Sequence, residues 1–310
     1  IRQLVLNFGD ATHVPRLDVF DLARGLALLP NLDDLVLAGL TLWVGPPLGA
    51  PPGALRRIEQ LVLDNMTLDP RELLQLLAVV APRSGLSLGH HVRLRSKFWV
   101  DDVPPAALRR LENVAWRELA MGFYEGGKYD MVMGALRKTH MARRLGRLEV
   151  NQLWAPDVPA VREILADVGA TLRTLALNLR ECASTHESRL GFGSGFGFDV
   201  LQKLERLRLD FGNPQMSHEL FGFVMRELEA KPSAPRPKLN LELRLGGQFI
   251  DQIGAWDEVL GAAKGWIGSI LLKVNDGEGW WDDEAGRDPT AEEWDVVREK
   301  MPLFCPSGLA

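Results

Sequence analysis

The stretch LERLRLDF at residues 204–211 sets leucines at 204, 207 and 209, and that spacing decides the fold. In an extended chain successive side chains alternate between faces, so Leu207 and Leu209 share the buried side of a strand while Arg206, Arg208 and Asp210 take the other. The phrase recurs as LDDLVLAGL at 32–40, IEQLVLDNM at 58–66, LENVAWREL at 111–119, LGRLEVNQL at 145–153 and LRTLALNL at 172–179. With the central apolar residue as marker, the copies fall at Leu4, Leu35, Leu61, Val114, Leu148, Leu175 and Leu207, separated by 31, 26, 53, 34, 27 and 32 residues. The gap of 53 is close to two units, so a further strand is expected within SGLSLGHHVRLRSKF at 84–98, at either Leu86 or Val92–Leu94. LNLELRL at 239–245 and IGSILLKV at 267–274 continue the alternation and bring the series to about ten units.

Self-similarity of this kind is the leucine-rich-repeat pattern, in which each unit contributes a short strand and a helix. Units of 26 to 34 residues leave room for a full helix after each strand. DPRELLQLLAVVA at 69–81 opens on Asp and has apolar residues three and four apart, and DVPAVREILADVG at 157–169 ends in a Gly suited to a left-handed cap. SHELFGFVMRELEA at 217–230 starts on a candidate Ser cap, and IDQIGAWDEVLGAAKGW at 250–266 has the helical period. PTAEEWDVVREKM at 289–301 begins with Pro-Thr and is followed by Pro302. The expected fold is α/β, a ribonuclease-inhibitor-like horseshoe solenoid with parallel strands on the concave face and helices on the convex one. Residues 1–274 form it, and 275–310, an acidic tryptophan-rich loop, a helix and a tail, close it as a cap. Because Ile1 already lies in a strand phrase, a further module is expected ahead of it.

Many such repeats carry Asn or Cys three residues after the last strand leucine, where it satisfies backbone groups of the turn. Here those positions are Leu40, Met66, Leu119, Leu153, Arg180 and Gly212, so the turn is expected to close by other means and the repeats to be irregular.

Composition narrows the class. With 46% hydrophobic and 25% charged residues the chain can bury a long core. Its two cysteines, Cys182 and Cys305, lie far apart and frame no disulfide cap, which predicts a reducing compartment, cytoplasm or nucleus. The sequon at Asn65 is read as a chance match. No apolar run approaches the ~20 residues that cross a bilayer. A net charge of −5 gives no reason to expect nucleic acid or membrane as partner.

LPNLDDLVL at 29–37, LERLRLDF at 204–211 and the closing VVREKMPLFCPSGLA at 296–310 resemble the F-box/leucine-rich-repeat family of mushroom-forming fungi. The resemblance implies the substrate-recognition repeats of an F-box subunit of a cullin-RING ubiquitin ligase. In that family the F-box binds a Skp-type adaptor, which links to the cullin, and the repeats bind the target. No F-box is visible within the 310 residues, so adaptor binding would belong to a segment ahead of Ile1. A ligase-independent leucine-rich-repeat scaffold or regulatory protein is the alternative.

Motifs for chemistry do not assemble. GFGSGFGF at 191–198 is separated from the preceding strand by RECASTHESR, whereas a dinucleotide fingerprint sits directly between strand and helix, so it reads as an inter-repeat loop. His90 and His91 are adjacent and would point to opposite faces of a strand; the remaining histidines and cysteines share no ligand spacing, so no metal is expected. The acidic DDEAGRD at 282–288 lacks the oxygen-ligand spacing of a calcium loop, and neither a Gly-x-Ser-x-Gly elbow nor a zinc-protease helix is present. The reading is a protein that is not an enzyme and carries no cofactor. RKTHMARRLGR at 137–147 reads as a helix end whose cations meet the helix dipole. Trp280 and Trp281, with Trp256, Trp266 and Trp294, read as packing of the cap.

The expected binding surface is the concave face. Its central positions are Val5, Val36, Val62, Ala115, Glu149, Ala176, Arg208 and Glu242, extended by Arg206, Asp210 and Arg244. Its first half is apolar and its second charged, which suits a protein target with an apolar and a charged segment.

Overall fold

The computed structural model describes residues 1–9, 14–44, 56–89, 92–94, 111, 114–122, 129–139, 141–180, 182, 195–212, 214–229, 237–263, 265–275 and 286–304. The chain is α/β and divides into two compact units, Ile1–Asn151 and Gln152–Ala310. The boundary expected at 274/275 falls within the second.

In the first unit, strand β1 (Gln3–Asn7) is followed by β2 (Arg16–Asp18) and helix α1 (Val19–Ala27). Then come β3 (Asp34–Ala38), β4 (Thr41–Trp43), β5 (Arg56–Asp64), β6 (Thr67–Leu68) and α2 (Pro70–Val79). The unit continues with β7 (Val80–Leu88), β8 (Arg93–Leu94), β9 (Glu118–Gly122), α3 (Tyr129–Thr139) and β10 (Arg147–Asn151). Strands β1, β3, β5, β7, β9 and β10 pair side by side, all parallel, in that order. The register aligns Leu4, Leu35, Leu61, Leu86, Leu119 and Leu148. From Leu35 onward these marker leucines are at most 2% exposed, so the repeated leucine is the core-facing one, as the spacing predicts.

Two expectations about register are resolved here. Between 84 and 98 the main strand is the one at Leu86; Arg93–Leu94 instead joins a second parallel sheet, β2-β4-β6-β8. The strand marked at Val114 is misplaced: β9 begins at Glu118 and its marker is Leu119. The cause is an overlap of two phrases, Leu111-Val114-Trp116 and Trp116-Leu119-Met121, all five of whose residues are buried. Only the second is paired. Ala115 therefore precedes the strand, and Ala120 holds the place assigned to it.

Helix α1 has no counterpart among the helices expected from sequence, yet its signals are regular. Asp18 caps it by accepting from the Phe20 and Asp21 N–H groups at 2.8 and 3.1 Å, and Val19, Leu22, Ala23 and Leu26 bury one face. Helix α2 starts on Asp69-Pro70, with the Glu72 carboxylate accepting from the Asp69 N–H at 2.7 Å. It ends at Val79, because Val80 and Ala81 already belong to β7.

The second unit contains α4 (Val158–Val168), β11 (Thr174–Asn178), β12 (Arg206–Gly212), α5 (Pro214–Glu229) and β13 (Leu239–Gly246). A 3₁₀ segment at Gly247–Trp256 leads into α6 (Asp257–Ala263), then β14 (Ile267–Asn275) and α7 (Ala291–Lys300). Strands β11 to β14 pair in parallel, with Leu175, Leu207, Leu241 and Ile270 in register. The core is aromatic around Trp256, fully buried against Phe211 and Phe221 at ring-centre distances of 5.5 and 4.9 Å.

Two cap expectations and the extent of one helix are corrected in this unit. Gly169 ends α4 in right-handed conformation (φ −55°, ψ −30°), so a left-handed cap is not its role. A Cβ there would come within 2.6 Å of the Val200 carbonyl oxygen, so close backbone approach is what selects glycine. Ser217 does not cap α5, which begins three residues earlier; its buried hydroxyl donates to the Pro214 carbonyl at 3.3 Å. Residues 250–266 do not form one helix, since the 3₁₀ segment occupies the first part.

The C-terminal helix matches expectation closely. Thr290 caps α7, and Glu293 completes the reciprocal box. Beyond it, the buried Asp257 carboxylate accepts from the Leu303 and Phe304 N–H groups at 3.0 and 2.8 Å. Val297 and Met301 are fully buried, so the segment through 304 packs on the 3₁₀ segment and α6. Trp280 and Trp281, to which the cap reading also appealed, lie outside the described residues, as does Cys305.

Candidate functional site

The predicted surface is built from the strand residues that alternate with the core leucines. In the first unit one row of register partners runs Val5, Val36, Val62, Ser87, Ala120 and Glu149. Val5 is 53% exposed, and Val36, Val62, Ser87 and Ala120 are half-buried. Glu149, expected as an exposed charge, is 8% exposed and accepts from the Arg147 guanidinium at 3.2 Å. This face is mostly apolar.

In the second unit the corresponding row is Ala176, Arg208, Glu242 and Leu271. It is flanked by Thr174, Arg206, Asn240 and Ser269 on one side and Asn178, Asp210, Arg244 and Lys273 on the other. Ala176 is buried and offers little surface, whereas Arg208, Glu242 and Arg244 are half-buried and Arg206 is exposed. Asp210 is 8% exposed and accepts from Arg180 Nε at 2.7 Å and from the Gly212 N–H at 3.2 Å. Arg244 Nε donates to Glu242 Oε1 at 2.7 Å, and Ser269 Oγ to Asn240 Oδ1 at 2.7 Å. The face is a lattice of paired charges, with Leu271, missed by the sequence reading, 45% exposed beside Glu242. The doubled apolar run Ile270-Leu271-Leu272 is the signal that could have found it.

The turns that follow these strands close by backbone geometry. Gly39, Asn65, Gln152 and Gly212, each at or just beyond a strand end, take left-handed φ values of 67°, 43°, 55° and 68°. The next residues Leu40, Met66 and Leu153 turn inward and are at most 1% exposed, which is why apolar side chains stand where many leucine-rich repeats carry Asn. Backbone bonds carry the ladder onward: Thr67 N–H donates to the Leu40 carbonyl at 3.2 Å and Leu153 N–H to the Asn178 carbonyl at 2.9 Å. Two side chains assist. The buried Tyr129 hydroxyl donates between the carbonyls of Met121 and Asn151, and the buried Cys182 thiol donates to the Leu153 carbonyl at 3.0 Å. Asn65, the asparagine of the sequon, is exposed in its left-handed turn.

The remaining sequence motifs resolve locally. Of GFGSGFGF, residues 191–194 lie outside the described residues, and the rest is anchored. Phe196 and Phe198 are fully buried and stacked, with ring centres 5.2 Å apart, and Gly195 and Gly197 are left-handed. The Phe196 N–H donates to Glu227 Oε2 of α5 at 2.8 Å. Burial pushes the Glu227 carboxyl above its usual range, with the Asp199 charge adding to the rise and the Phe196 N–H and Arg162 opposing it. In RKTHMARRLGR, Arg137 and Lys138 lie in the last turn of α3, while Arg143 and Arg144 sit exposed on a separate 3₁₀ turn, Met141–Arg144. His90, His91 and residues 282–285 lie outside the described residues. Among the described residues no group of three or more His, Cys, Asp or Glu side chains could hold a metal ion, and no helix is long and apolar enough to cross a membrane.

No known family model matches the chain, and no curated protein is similar to it.

Proposed function

We propose that the chain is a protein-binding module of the leucine-rich-repeat solenoid type, and that its strand faces meet a protein target in the cytoplasm or nucleus. One observation carries this reading. Ten parallel strands hold an apolar residue at one register position, nearly always leucine, while the residue after it varies: Val36, Val62, Ser87 and Ala120 in one unit, Arg208, Glu242 and Leu271 in the other. A constant inward set maintains the core, and a varied outward set on rigid strands is the arrangement that encodes recognition.

The narrower reading is that this module is the target-recognition half of an F-box subunit of a cullin-RING ubiquitin ligase. It rests on the resemblance of 29–37, 204–211 and 296–310 to the fungal F-box/leucine-rich-repeat family. Affinity purification of the full native gene product beside the 310-residue chain, with mass spectrometry of the bound proteins, tests both readings. A Skp-type adaptor and cullin bound to the native product, and a shared target bound to both, is the expected result. A shared target without adaptor or cullin would replace the ligase reading with a ligase-independent scaffold. Targets that persist when Val36, Val62, Arg206 and Arg208 are all replaced by Asp would overturn the binding-face reading.

A further inference from the structure

Resting on the binding-module reading, we propose that the outward strand face of the second unit takes an acidic segment of the partner, with carboxylates at Arg206 and Arg208 and an apolar side chain at Leu271.

The sign of the charge on this face is the first argument. The chain carries a net charge of −5, yet the outward positions of β12, β13 and β14 hold four cations, Arg206, Arg208, Arg244 and Lys273, against two carboxylates, Asp210 and Glu242. Both carboxylates are already engaged by arginines, Asp210 by Arg180 and Glu242 by Arg244, and Lys273 is itself engaged by Asp288 at 3.0 Å, so the excess is centred on Arg206. Arg206 is exposed and makes no side-chain hydrogen bond or ion pair with any described residue. A local excess of positive charge attracts an acidic partner segment.

The pairing also supplies rigidity. Arg180 and Arg244, each with 14% of the side chain exposed, are held by their carboxylates at 2.7 Å, so the ground around Arg208 is fixed before a ligand arrives. Guanidinium groups suit carboxylates through two parallel N–H donors, which gives direction as well as attraction.

The spacing narrows the ligand further. Leu271 lies two strands from Arg208 in the same register row, through Glu242. Adjacent strands are about 4.8 Å apart, so the two side chains stand roughly 10 Å from one another, a span that a polyproline-II peptide, whose side chains return to the same side every third residue at about 3.1 Å per residue, covers in about three residues. Arg206 lies two residues before Arg208 on the same side of β12, within reach of a neighbouring carboxylate. The predicted segment therefore has two adjacent acidic residues and a leucine-like residue three positions on, crossing the strands.

Fluorescence anisotropy tests this with the 310-residue chain and a labelled synthetic peptide bearing Glu-Glu and, three residues after the second Glu, a Leu. Controls are the Gln-Gln peptide and the peptide with Ser for Leu. The acidic peptide is expected to bind, to lose affinity in ~0.5 M salt as surface charges are screened, and to weaken about tenfold with Arg206→Glu. Arg206→Lys, which keeps the charge and the fold but loses the paired donors, weakens binding less than Arg206→Glu, and Leu271→Ser also weakens it. Absence of binding, equal binding of the Gln-Gln peptide, or indifference to Arg206→Glu overturns the proposal. Equal displacement by a single-stranded oligonucleotide would also overturn it, since that ligand would need only the charge. A target lost on replacing Val36 and Val62 but insensitive to Arg206→Glu would remove the acidic segment alone. One insensitive to replacement on either unit would remove the binding-module reading with it.

Discussion

Gly39 and Gln152 occupy equivalent turns and obey the same constraint unequally. Both are left-handed, but a Cβ on Gly39 would also strike the backbone of Phe8 and Gly9. Gly39→Ala is expected to lower stability by about 1–3 kcal/mol or more, read by urea unfolding, because strained backbone and collision add. Glu227 offers the opposite sign. Its carboxyl is raised above the ordinary 4.5, first by burial, so its ionised form weighs against the folded state at neutral pH. Glu227→Gln keeps an acceptor for the Phe196 N–H and removes the charge. The variant is expected to be more stable at neutral pH, with the gain constant above the raised pKa and gone below pH 4.5. A pH series of denaturation midpoints checks this, and a loss of stability at neutral pH would mean that the backbone donors outweigh burial.

Among the elements, α7 has the most explicit electrostatics. Arg287 holds Glu293 through paired hydrogen bonds of 2.6 and 2.7 Å, and this bond, reinforced by the Thr290 N–H, lowers the Glu293 carboxyl to about 2. A depressed carboxylate contributes stability above its unfolded value of 4.5 and loses it as the pH falls toward about 2. Arg287→Met should therefore destabilise the protein at neutral pH, and the difference from the parent should shrink between pH 4.5 and about 2. α7 was legible in the sequence because Pro289-Thr290 and Glu293 spell out the cap. The register of β9 was not, because apolar phrases overlap at Trp116 and only pairing with β7 and β10 selects the second. The sheet β2-β4-β6-β8 also escaped notice. Its strands are two or three residues long, too short for periodicity to register, and exist because the ladder continues past each turn.

For the whole molecule, the repeated leucines forecast parallel strands with one apolar marker each, and the pairing of Leu207 with Leu175 and Leu241 follows that forecast. The character of the faces was legible only in part. Alternation identified Val36, Val62, Arg208 and Arg244 as outward, but it could not foresee that Glu149 and Ala176 would be buried or that Leu271 would be exposed, since burial depends on neighbours contributed by other strands. The account depends on recognition by these strand faces rather than by the helices. Photo-crosslinking from single sites in the full gene product tests it most directly, with a benzophenone amino acid at Val36, Val62 or Arg208 on the strands and at Glu163 or Ala166 on the exposed side of α4. Adducts to a common protein from the strand sites and none from α4 are the predicted result; adducts from α4 with silent strands would contradict it.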